Sequence, residues 1–131
     1  MTAADRVFVD TNVLLYSIDA ANSSKRRRAS DWLFALWSSG AGRISWQVLH
    51  EFYSNAVGKF SVPNDVARTQ VRRFKCWRPL DTDLALIERA WHWHDAAQLR
   101  YWDALILAAA ERSGAAYLLS EDFQAGRHYH S

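Results

Sequence analysis

Apolar positions along the chain follow two rhythms. Short unbroken runs at Val7–Val9 and Ala116–Leu119 fit strands buried on both faces. Between them, longer stretches repeat apolar residues every three or four positions, which is one face of a helix. Ala29, Trp32, Leu33, Leu36 and Trp37 predict a helix over 24–38, after a short helical turn at 12–17. Gly40 and Gly42 break the chain there, and a weak strand follows at 43–45. Leu49, Phe52, Tyr53, Ala56, Val57 and Phe60 predict a helix over 46–60, and Pro63 and Asn64 open another that runs to about Lys75. Pro79 and Leu80 close a short third strand. Asp83 caps a helix with Leu84, Ile87, Trp91 and His94 on one side. The last helix spans Tyr101 to Ser113, with Trp102, Leu105, Ile106 and Ala109 facing the core and Gly114 just past its end.

Strands alternating with helices imply an α/β fold: a short central parallel sheet of about four strands, flanked by helices on both faces. No repeat or linker divides the chain, so 1–131 reads as a single domain. Half the residues are hydrophobic, with seven Trp, five Tyr and six Phe, which excludes a disordered chain. The single cysteine, Cys76, forms no internal disulfide and supplies no thiolate metal set, so a reducing cytoplasm is expected. The amino terminus lacks a signal-peptide pattern, and no apolar run is long enough to span a bilayer.

Four acids stand beside these apolar elements: Asp10 after the first strand, Glu51 on the helix after the second, Asp103 on the last helix, and Asp122 three residues past the last strand. Carboxylates next to buried runs are costly unless something pairs them. In parallel sheets ligands sit beyond the carboxyl ends of the strands, so Asp10 and Asp122 share one rim if their strands are neighbours. Helical phase puts Glu51 and Asp103 at the shoulders of their core faces, within reach of that rim. Two carboxylates about 4 Å apart repel by roughly 4 kcal/mol at an effective dielectric near 20. A divalent cation relieves this, and oxygen-only ligation points to Mg2+ or Mn2+ rather than zinc. Taken singly, each acid has a plainer reading. Asp10 caps the next helix, Glu51 is surface, Asp103 pairs with Arg100 or Arg112, and Asp122 is a cap or turn residue. Together they favour metal-dependent phosphodiester cleavage. Removing the four from the 14 Asp and Glu leaves 10 against 16 Lys and Arg, an excess of six positive charges suited to a polyanion.

The blocks Asp10–Tyr16, Glu51 on its helix, Tyr101–Ala110 and Leu118–Phe123 resemble the signature blocks of PIN-domain nucleases, in particular VapC-like toxins of bacterial toxin–antitoxin pairs. The resemblance covers nearly the whole chain. It implies a PIN-like fold and a Mg2+- or Mn2+-dependent endoribonuclease that leaves a 5′-phosphate and a 3′-hydroxyl. It also implies a homodimer and a co-expressed VapB-like antitoxin. Carried over by position, Asp10, Glu51, Asp103 and Asp122 match the acidic quartet that holds the metal and performs catalysis. Thr11, Asn12 and Ser120 match the polar residues that orient ligands or water. The family's last strand is missing from the sequence pattern, which would leave the preceding strand an exposed edge.

Other features divide more evenly. Lys25, Arg26, Arg27 and Arg28 form a basic run at a helix start, equally suited to RNA phosphate contacts and to a solvated helix end. Arg68, Arg72, Arg73 and Lys75 form a second such stretch. Trp91 and His94 are expected to pack, Trp93 to lie at a dimer or antitoxin surface, and Trp46 to serve the core rather than stack on a base. Phe52 and Tyr53 occupy a stretch that contributes to the antitoxin groove in the family. His128 and His130 are not expected to bind metal. A haloacid-dehalogenase-type phosphatase would need an acid where Asn12 stands, and a dinucleotide site would need a glycine-rich turn after the first strand. The main alternative is a catalytically weak PIN-fold module that binds RNA or protein.

Overall fold

A computed structural model of the protein describes residues 5–120. Its centre is a three-stranded parallel sheet in the order β2-β1-β3. The strands are β1 (Val7–Val9), β2 (Gly42–Arg43) and β3 (Tyr117–Leu119). All of β1 is buried, because strands pair with it on both edges and helices cover it. Val7, Phe8 and Val9 lie opposite Tyr117, Leu118 and Leu119 in register. The first and last strands are therefore neighbours.

Among the described residues six helices flank the sheet: α1 (Thr11–Tyr16), α2 (Ser23–Ser39), α3 (Trp46–Gly58), α4 (Asn64–Phe74), α5 (Leu84–Ala97) and α6 (Tyr101–Arg112). Their starts follow from side-chain caps. Asn22, Ser45 and Asp83 each accept a hydrogen bond from the backbone N–H three residues on, at 3.2, 3.3 and 2.9 Å. The left-handed residue Gly40 (φ 71°) ends α2, and Gly114 (φ 74°) follows α6. No helix among the described residues is long and apolar enough to cross a membrane.

Helix α6 is buried from Ala104 through Ala110 because it packs on two sides. Ile106, Ala109 and Ala110 join the core around the sheet. Ala104, Leu105 and Ala108 meet Leu86 and Ala90 of α5 in a second cluster.

Three expectations are corrected. Among the described residues the sheet has three strands, not about four, because the stretch ending at Leu80 makes only a bridge to Ser45. Arg78 turns left-handed (φ 53°) and Pro79 has no N–H to donate, so extended pairing cannot propagate. On α5 the buried side carries Leu86, Ala90 and part of Trp93, leaving Leu84 64% and Trp91 50% exposed, with His94 also at the surface. The small residue Ala90 lets α6 approach closely, which the larger apolar side chains of the expected face would not. Trp93 is held inward by donating its indole N–H to Glu111 of α6. Trp102 is 57% exposed and lines a groove instead of facing the core. The last family strand and His128 and His130 lie outside the described residues.

Candidate active site at the carboxyl edge of the sheet

The Asp10 N–H donates to the Leu119 carbonyl at 3.0 Å, continuing the β1–β3 pairing by one bond. Asp10 and Ser120, the next residue of each strand, are thereby brought to the same edge. Asp10 Oδ1 accepts from the Thr11 N–H at 2.7 Å and caps α1, as expected for this tripeptide taken alone.

The amino end of α6 completes a pocket of about 170 Å³. Asp10, Asp103 and Ser120 line it together with Leu99, Ile106, Leu107 and Leu118. Asp103 occupies the first turn of α6, where a negative charge suits the helix dipole. It is exposed, and Arg112, one of its expected partners, instead pairs with Asp83 at 2.8 Å.

Glu51 reaches the same region by another route. Its Oε2 accepts from the Thr11 hydroxyl at 2.8 Å and its Oε1 from Gln47 Nε2 at 3.0 Å. Thr11 is 5% exposed and Glu51 is half-buried, so this bond joins α1 to α3 from a buried hydroxyl to a partly wetted carboxylate. Glu51 faces a neighbouring groove rather than the pocket of Asp10 and Asp103. Asn12 is exposed in the first turn of α1. Asp122 lies outside the described residues.

The groove beside Glu51 encloses about 730 Å³ and is walled by Trp46, His50, Tyr101 and Trp102, with Gln47 reaching to 3.5 Å from the Trp102 carbonyl. Trp102 precedes Asp103, so the aromatic groove and the acidic pocket share the first turn of α6. Trp46 is only half-buried and lines this groove as well as packing on the core. Tyr53 lines a smaller groove of about 250 Å³ between α3 and α4, whereas Phe52 is buried and contributes to no surface.

Hard oxygen donors in one small pocket suit Mg2+ or Mn2+, which are held by one or two carboxylates and keep several waters. Asp10, Asp103 and Ser120 supply oxygen donors to one pocket. Among the described residues no three His, Cys, Asp or Glu side chains converge as ligands. The basic run at the start of α2 is mostly exposed. Lys25 is folded back, donating to the Tyr16 hydroxyl at 3.2 Å with its ammonium 4.5 Å from the ring centre.

The sequence pattern did not reveal the clamp behind α6. Arg89 Nε and Nη2 each donate to Glu111 at 2.9 Å, and Trp93 donates to the same carboxylate. Burial pushes the Glu111 carboxyl up, but the hydrogen bonds from Arg89 and Trp93 and the Arg89 charge outweigh it and hold it below its ordinary value. The only hint in the sequence is an Arg and a Trp one helical turn apart on α5.

A search of curated proteins finds no match. A family model of the PIN domain matches residues 7–130, nearly the whole chain. PIN domains are generally metal-dependent nucleases. With a short parallel sheet flanked by helices and acids at its carboxyl edge, the chain belongs to the PIN domain family.

Proposed function

We propose that the protein is an endoribonuclease that hydrolyses RNA phosphodiester bonds with Mg2+ or Mn2+. The observation that carries this reading is the pocket in which Asp10 and Asp103, far apart in sequence, meet beside Ser120. These residues would hold the ion, with Asp122 as a further ligand. When bound, the ion would supply charge neutralisation at the scissile phosphate and lower the pKa of a water toward neutrality. Thr11 and Gln47 orient Glu51, so that its carboxylate is fixed before substrate arrives. The aromatic groove next to Asp103 offers ring faces on which unpaired bases stack, and exposed Arg26 and Arg27 offer phosphate contacts.

Within this reading the protein acts in the cytoplasm as a VapC-like toxin, a homodimer restrained by a VapB-like antitoxin. Trp102, Trp91, Leu84 and Phe34 are large apolar side chains left exposed, which partners could cover. The second reading, a PIN-fold binding module with little turnover, is favoured by the absence of three converging ligands among the described residues.

The test compares wild type with Asp10→Asn and Asp103→Asn on total RNA with Mn2+. Cleavage by wild type alone supports the nuclease. Equal cleavage by all three indicates a contaminant, and binding without cleavage by any favours the module. Growth arrest on expression, abolished by either substitution and relieved by co-expression of an adjacent small reading frame, tests the toxin role.

A further inference from the structure

The opposite end of the sheet carries a cavity of about 630 Å³ that the nuclease reading does not use. Arg6 precedes β1, Arg43 ends β2, Arg78 follows the 3-10 turn Lys75–Trp77, and Arg112 ends α6; all four line this cavity, and among the described residues no Asp or Glu lines it. Burial, then the charges of Arg6 and Arg78, hold the Arg43 guanidinium below its ordinary value. In contrast to the acidic pocket, Arg6, Arg43 and Arg78 gather positive charge here that an anion would relieve, while Arg112 is already paired with Asp83.

Two features show that the cluster is held in place. Arg43 Nη1 donates to the carbonyls of Gly40 and Gly42 at 3.0 and 2.8 Å, which fixes its guanidinium while leaving its other N–H donors for a ligand. Arg78 is kept at φ 53°, a conformation that glycine adopts without strain and a residue carrying a Cβ does not. The side chain at that position is what an arginine adds over the relaxed residue. Trp77 forms the floor: it lies so close over Gly42 that a Cβ there would come within 2.5 Å of the ring. Trp37 adds a partly exposed aromatic wall.

We propose that this arginine cavity is a second site, which binds the phosphate groups of a nucleotide, free or within an RNA strand, at the end of the sheet remote from the acids. Guanidinium forks match phosphate oxygens bidentately, and the cavity is of a size that holds one nucleotide.

The test uses calorimetric titration with ADP and with a short single-stranded oligoribonucleotide, on the full chain carrying Asp10→Asn so that turnover plays no part. The comparison protein adds Arg6→Gln and Arg78→Gly, where glycine relaxes the backbone and the fold is retained or stabilised. The proposal expects binding that weakens with salt and falls at least tenfold in the comparison protein, whose melting temperature is unchanged or higher. ADP binding identifies a free-nucleotide site; binding of the oligoribonucleotide alone identifies an RNA contact. No binding of either probe, or equal binding by both proteins, overturns the proposal. Either result leaves the nuclease reading standing, because that reading rests on the opposite end of the sheet.

Discussion

The Thr11 hydroxyl donates to Glu51 across 40 residues of chain at 2.8 Å, and this bond sets where the Glu51 carboxylate points. Thr11 is buried one residue after Asp10, so one short stretch both supplies an acid and steers another. Thr11→Val keeps the shape and removes the donor. It is expected to destabilise the protein by about 1–2 kcal/mol. Denaturant titration of Thr11→Val, Glu51→Ala and the double variant checks the link. Coupling of about 0.5 kcal/mol or more supports it, and simple additivity refutes it.

Metal binding is expected to stabilise the fold in a pH-dependent way. Mn2+ at 100 times its dissociation constant would add about 2.7 kcal/mol. Thermal melts should show a larger rise at pH 8 than at pH 5, where protons compete for the carboxylates. Asn is as good a helix cap as Asp. Asp10→Asn therefore keeps α1 capped and should still lose most of the metal effect. Melts insensitive to metal at both pH values would contradict the proposed site.

Glu111 makes the α5–α6 packing acid-sensitive. Its carboxyl is held below its ordinary value, so the folded protein takes up this proton less readily than the unfolded chain. The stabilisation is complete above the unfolded pKa of about 4.3. It is lost as pH falls through the lower folded value. Asp83 shifts in the same direction through the Leu86 N–H and Arg112, but it is solvent-exposed and adds little. Glu111→Gln is expected to lower the denaturation midpoint at pH 7 and to flatten its decline below about pH 5. A variant whose midpoint falls in parallel with wild type would show that the clamp is not the cause.

Gly42 and Gly58 should respond to alanine in opposite directions. At Gly42 the new methyl would meet the Trp77 ring at 2.5 Å, and that ring is wedged against Trp37 and Phe74 with centroids 5.1 and 4.9 Å away. Gly42→Ala is expected to destabilise by about 1–3 kcal/mol. At Gly58 nothing lies within 4 Å and the backbone is helical, so alanine should stabilise by about 0.5–1 kcal/mol. Thermal melts of the two variants, read side by side, check both signs.

Much of the fold is legible in the sequence because local chemistry carries it. The helix starts at Asn22, Ser45 and Asp83 are side-chain caps, and the ends at Gly40 and Gly114 use left-handed glycines. The run Val7–Val9 is apolar at every position because both its faces are covered. The acids were recognisable by their positions beside these elements, and the family by the blocks that hold them.

Pairing in space was not legible in the same way. The third strand failed because Arg78 turns left-handed, a choice made by the packing of Trp77 over Gly42 rather than by local preference. The buried side of α5 was misassigned because closeness to α6 selected Ala90 over Trp91. Helical phase put Glu51 at the shoulder of its helix, but the hydrogen bonds from Thr11 and Gln47 that hold its carboxylate beside the aromatic groove came only with the tertiary structure. The sequence by itself thus determined where elements begin and end and which chemistry stands at the sheet edge, since caps, periodicity and residue type act over a few positions. Only the tertiary structure decided which side chains share a pocket and that four arginines converge at the opposite end. Those outcomes depend on the close approach of segments distant along the chain.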